Sequence, residues 1–426
     1  MGSAYAGSMD LPHVDPTAPL PGPPDPWASS DMPSRRAGPP FHMTEMIAAE
    51  PSIARRILER GAHPGSEAAG LAEAVRAAIA AGTPVVVTGC GTSEHGAQAM
   101  AEILREVLGP EIAPRVSSAQ AFELALDPPS RGLVIGISHE GATTATNAAL
   151  AAARASGVRT ALVTVSDRSP GSALADHLLT TAELDQSWCH TVGYLSPIVA
   201  AASVAGALTG HPVRRGDAES LVASGLSSDA EAAATMIAAG LAGVRRLLVL
   251  GSGADRIAAR ELVLKIEEGT WLPAAYRDLE TFLHGHLAST DPTTAVVVLA
   301  TDRRARAERL ARVRGALAAA RVVGMPTAAI VTAAADRDLP SSSTTLGRIV
   351  VADAPDAFPA SVAALFASAT ALQLLTERLA RARGVDPDPI HRDVDRYRDA
   401  ADAAEGADGA AAEGADDAET RGAGPT

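Results

Sequence analysis

Residues 85–106 recur, without a gap, 162 positions further along the chain. Val85–Glu106 (VVVTGCGTSEHGAQAMAEILRE) lies on Leu247–Glu268 (LLVLGSGADRIAARELVLKIEE), with Val87/Val249, Gly89/Gly251, Gly91/Gly253, Ala97/Ala259 and Glu106/Glu268 identical. Each copy reads as an apolar strand, a Gly-x-Gly turn and a helix. Two such openings in 426 residues point to two related α/β units. Chance likeness between two Ala-rich strand–helix segments is the plain alternative.

The rest of the pattern fits the duplication. Short β-branched or Leu-rich runs stand at Pro84–Gly89, Gly132–Ser138, Arg159–Val165 and His177–Thr181. Four more stand at Arg246–Gly251, Thr294–Thr301, Thr327–Val331 and Arg348–Ala352. Helical stretches such as Thr92–Val107, Ala142–Ala155 and Ser361–Arg383 lie between or after them. Strands alternating with helices predict an α/β fold of two tandem domains, 70–212 and 228–384, each a doubly wound parallel sheet flanked by helices. A helical lead-in (41–69) and a C-terminal segment (385–398) complete the patterned region. Residues 1–40 hold ten of the 29 prolines and read as a disordered leader. Residues 399–426, acid-rich and Ala/Gly-rich, read as a disordered tail.

Composition narrows the partners. A net charge of −14 argues against nucleic acid and gives no pull toward an anionic membrane. The longest apolar stretch, Leu195–Leu208, contains Pro197 and is short for a bilayer span. Cys90 and Cys189 lie far apart with no CxxC partner, so neither a disulfide scaffold nor a structural zinc site is expected, and a cytoplasmic protein without metal or cofactor is the reading.

Five segments could carry chemistry. In Gly89-Cys90-Gly91-Thr92-Ser93, small residues let backbone N–H groups approach an anion, and two hydroxyls sit where a helix begins. Glu94 stands where a dinucleotide fingerprint needs its third glycine, and no GK[ST] is present. Ser138-His139-Glu140-Gly141-Ala142-Thr143 repeats the arrangement after another strand, so the two clusters converge on the crevice at the C-terminal strand ends. Glu261, Lys265 and Glu268 share one helix face. A wet Glu–Lys pair is the plain reading, yet Lys265 is the only lysine beside 35 arginines, which implies a place that prefers a compact ammonium. Finally, Tyr276–His286 ends in a His-x-His pair that lacks a third metal ligand, and Asp185–Tyr194 is a polar, aromatic loop in a chain only 3% aromatic.

Taken in order, these segments resemble the sugar-isomerase (SIS) superfamily, in particular the tandem-SIS isomerase half of glucosamine-6-phosphate synthases, over roughly Phe41–Tyr397. The lead-in from His42 to Pro51 is similar to that family's entry helix. The resemblance implies that Cys90, Gly91, Thr92, Ser93, Ser138, His139, Glu140, Thr143 and Thr191 bind a sugar or sugar phosphate. It implies Glu268 as catalytic base, Lys265 as polarising cation and His284 as the ring-opening residue. It also implies a homodimer, since the family's histidine serves the neighbouring subunit. Glu140 replaces a phosphate-binding Ser, His286 replaces a Pro, and no glutaminase domain or C-terminal lysine is present, which speaks against synthase activity. The implied function is aldose–ketose isomerisation through an enediol. Amino-sugar-phosphate deamination or fructosamine-phosphate deglycation is the alternative, and a non-catalytic carbohydrate sensor a third.

Overall fold

The computed structural model describes residues 14–404. Two five-stranded sheets, parallel throughout, carry the chain. The first is built from β1 (Val85–Gly89), β2 (Val116–Gln120), β3 (Leu133–Ile137), β4 (Arg159–Thr164) and β5 (His177–Thr180) in the order β2-β1-β3-β4-β5. The second uses β6 (Arg246–Gly251), β7 (Ala274–Asp278), β8 (Thr294–Ala300), β9 (Thr327–Thr332) and β10 (Gly347–Val351) in the order β7-β6-β8-β9-β10. Counted within each unit, both orders are 2-1-3-4-5, one of the doubly wound topologies.

Register repeats too. Val85 pairs with Leu133 in the first sheet and Leu247 with Ala295 in the second, so both members shift by the same 162 positions. The duplication is therefore architectural. Each unit gains one strand beyond the eight expected, β2 and β7, and both are outer strands of mixed polarity.

Val192–Thr209 and Ala360–Arg383 are apolar almost all round because they are interior helices. Both are long and apolar enough to cross a membrane by length and composition, which corrects the expectation that Leu195–Leu208 is too short, and both are largely buried inside the protein. The largest cluster of buried side chains runs through both units, joining the His42–Gly61 helix, Thr92–Leu108, Val192–Thr209 and Ala360–Arg383.

The leader is corrected over residues 14–40. Leu20 is buried, and its N–H donates to Glu183 at 2.9 Å. Leu184 N–H donates to Pro21 O at 3.0 Å, and Arg168 donates to the carbonyls of Pro23 and Pro24. A segment rich in proline keeps its carbonyls free, and an arginine at the strand ends binds them. The beginning of the acidic tail, through 404, is helical; 1–13 and 405–426 lie outside the described residues.

Candidate active site

The turn after β1 and the loop after β3 face one another because β1 and β3 are parallel neighbours where the strand order reverses. Gly91 takes φ +56°, and a Cβ placed there would meet no heavy atom within 4 Å. The start of the Thr92–Leu108 helix, with Ser93 in its first turn, is thus an open cradle. Cys90 is half-buried, its thiol pKa pushed up by that burial, and its Sγ accepts from Gln120 Nε2 and Thr146 Oγ1 at 3.9 Å each. Thr146 belongs to the helix that follows the second loop, so the contact ties the two clusters together. In that loop Ser138 Oγ lies 3.2 Å from Thr143 Oγ1 and accepts the Gly141 N–H at 3.1 Å.

The second unit meets this crevice through the Asp255–Thr270 helix. Thr92 donates to Glu261 Oε1 at 3.4 Å, and His95 Nδ1 lies 2.6 Å from Glu261 Oε2. Lys265 Nζ stands 3.7 Å from Glu261 and 2.5 Å from Glu268 Oε2. Glu261 and Lys265 are fully buried, while the Glu268 side chain keeps 25% of its exposure. Burial alone would lower the Lys265 pKa, but the two carboxylates outweigh it and raise it. For Glu261, Lys265 and His95 likewise outweigh the upward push of burial. A chain of polar and charged contacts therefore runs from the first unit to the second and ends at a carboxylate that reaches solvent. The lone lysine is explained: an ammonium fits between two carboxylates where a broad guanidinium would need more room.

Glu106, the repeat partner of Glu268, has another task. Its carboxylate accepts from Ala360 N at 2.6 Å and Ser361 N at 2.8 Å, capping the Ala360–Arg383 helix.

Four expected site residues are placed differently from the crevice. His139 turns inward, and its Nε2 accepts the Asp185 N–H at 2.9 Å. Thr191 is fully buried, its N–H donating to Asp185 Oδ2 at 2.7 Å and its hydroxyl unpartnered. Both belong to the loop's scaffold because Asp185 also collects the N–H groups of Ser187 and Gly193. Burial alone would raise the Asp185 pKa, but His190, His139 and the Gly193 N–H outweigh it and bring it to about 2. Glu140 accepts from the N–H (3.2 Å) and hydroxyl of Ser30 in the leader. The His284 ring is 76% exposed and lies 3.2 Å from Glu280; among the described residues its side-chain partner is that glutamate, not Lys265 or Glu268. Asp185 and His95 were not singled out in the sequence. Asp185 sits in the polar loop and carried a signal, whereas no motif in the sequence marks His95, whose partner Glu261 lies 166 positions away.

Two sheets of order 2-1-3-4-5, with a hydroxyl-lined crevice at one switch point, define a tandemly duplicated doubly wound α/β protein. The chain belongs to the SIS domain family, whose model matches residues 80–209 and 240–376. A curated relative, glutamine–fructose-6-phosphate aminotransferase (isomerizing) of Gloeobacter violaceus, is 28% identical over 322 residues, 71% of this chain and 50% of the relative. The chain thus spans about half the length of that relative. Among solved structures, the C-terminal domain of glucosamine-fructose-6-phosphate aminotransferase from Francisella tularensis superimposes with TM-score 0.70 at 18% identity, over 83% of this chain and 99% of that one. Tagatose-6-phosphate ketose/aldose isomerase from Escherichia coli gives 0.65 at 19% identity, over 84% and 97%.

Proposed function

We propose that the protein is a sugar-phosphate aldose–ketose isomerase, with the phosphate at the Gly91 cradle and the Ser138–Thr143 loop, and Glu268 as base. The observation that carries this reading is the Lys265–Glu268 pair, a buried ammonium beside a carboxylate that reaches solvent. Isomerisation needs a base that lifts a proton alpha to a carbonyl and returns it to the neighbouring carbon. One carboxylate can serve both carbons. The Lys265 ammonium would stabilise the negative charge that develops on the oxygens of the enediolate. His284, exposed on its own subunit, would open the sugar ring in the site of a second copy.

Replacing Glu268 by Gln keeps shape and removes the base. In deuterated water the wild type is expected to exchange the substrate's alpha proton, and the variant is expected to lose that exchange by at least about 100-fold, the usual contribution of a general base. Undiminished exchange would remove the mechanism. Release of ammonia from an amino-sugar phosphate in the same assay would assign the deaminase reading instead. Substrate class can be sought by thermal shift, since a ligand at 100 times its Kd stabilises by about 2.7 kcal/mol.

A further inference from the structure

The shared register places Glu140 of the first unit on Asp302 of the second, and Gly91 on Gly253. The two acids are disposed in opposite ways. Asp302 is buried, and its carboxylate fills the second unit's cradle. Its Oδ2 accepts the Ala254 N–H at the helix start (2.9 Å), Arg309 Nη1 (2.9 Å) and Arg304 Nη2 (2.6 Å), and its Oδ1 accepts the Arg304 N–H (2.9 Å). A Cβ on Gly253 would fall 2.3 Å from Asp302 Oδ2 and 1.5 Å from Arg309 Nη1. The second cradle has no room for a ligand because the chain supplies its own anion.

In the first unit the cradle at Gly91 is open, and the equivalent carboxylate is held elsewhere. Glu140 is taken by the N–H and hydroxyl of Ser30. The strap that carries Ser30 is fixed on the same sheet end by Arg168, which binds the carbonyls of Pro23 and Pro24 and pairs with Asp25 at 2.8 Å. Glutamate is one methylene longer than aspartate, so reach does not keep Glu140 out.

We infer that Ser30 is a positioning residue: it holds the Glu140 carboxylate away from the Gly91 cradle, and without it Glu140 closes that cradle as Asp302 closes its counterpart. The excluded ligand is a phosphate dianion, free or as a monoester. This rests on the reading that the first cradle takes a sugar phosphate. An acid in the phosphate loop is then compatible with a phosphorylated substrate, and the leader becomes part of the binding site.

The test is calorimetric titration of the full chain with inorganic phosphate. Ser30→Pro removes both donors. If Glu140 then fills the cradle in about nine molecules of ten, the apparent Kd rises about tenfold. Adding Glu140→Gln removes the competing charge and is expected to restore the wild-type Kd, a rescue that a merely structural strap would not give. Ser30→Ala removes only the hydroxyl; a smaller shift in the same direction, rescued by Glu140→Gln, decides the matter if the proline variant does not fold. Wild-type affinity in the Ser30 variants overturns the inference, as does a double variant as weak as the single. Binding of neither inorganic phosphate nor any hexose 6-phosphate by the wild type instead overturns the phosphate-site reading on which it rests.

Discussion

His139 shows how one buried ring constrains the behaviour of the whole loop. Its Nε2 accepts an N–H, so the ring is neutral, with its proton on Nδ1. Burial first, and the neighbouring His190 second, bring its pKa from 6.5 to about 4. The folded state therefore binds fewer protons than the unfolded one between these values. The stability this residue contributes is full above pH 6.5 and is lost as pH falls toward 4, on the order of 3 kcal/mol in all. Urea unfolding from pH 7 to 4 is expected to show a shallower loss in His139→Gln than in wild type; parallel curves would refute the neutral buried ring. Little of this was legible in the sequence, where His139 stood among hydroxyls and looked like one more ligand contact. Side-chain direction depends on the partner across the fold, here the amide of Asp185, 46 positions away. Lys265 was the opposite case. Its uniqueness in a chain rich in arginine signalled a special environment that the structure bears out.

Strands and turns were more readable than side chains, with an instructive exception. The eight apolar runs all form strands, because a parallel sheet covered on both faces demands continuous apolar sequence. The two missed strands, β2 (VSSAQ) and β7 (AAYRD), occupy the same outer position in each sheet and carry exposed or half-buried residues, so no apolar run marks them. The duplicated Gly-x-Gly turns were visible as motifs, but their contrast was not: one is open and one is filled. That contrast predicts unequal costs for the same substitution. Gly91→Ala places a Cβ in open space and bears only the strain of a positive φ, about 1–3 kcal/mol. Gly253→Ala bears that strain and also drives into Arg309 and Asp302, breaking a buried ion pair worth about 3–5 kcal/mol when one partner is displaced. Chemical denaturation of both variants checks this. Equal losses would mean that the second cradle is not occupied as described.

The two units are joined by more than the chain between them. Thr92 and His95 reach Glu261, Gln98 accepts from Arg260 at 3.0 Å, and Arg304 pairs with Glu102 at 2.8 Å. The C-terminal segment returns to the lead-in, where Asp388 accepts the N–H groups of His42 and Met43. His284 is exposed and pairs with Glu280, not with Lys265 or Glu268. The proposed mechanism therefore expects a dimer by light scattering at micromolar concentration, and His284→Ala subunits mixed with Glu268→Gln subunits should recover up to about a quarter of wild-type activity through one intact shared site. A monomer, or mixed variants that recover nothing, would remove the shared site. The burial of Lys265 has a practical reach beyond chemistry at the site. The only side-chain amine of the protein is buried between its two halves, so amine-directed reagents find no lysine on the native surface. Modification of that side chain needs the crevice beside Glu268 to open or the halves to part, so its rate of labelling reports that opening, and a ligand bound there is expected to slow it.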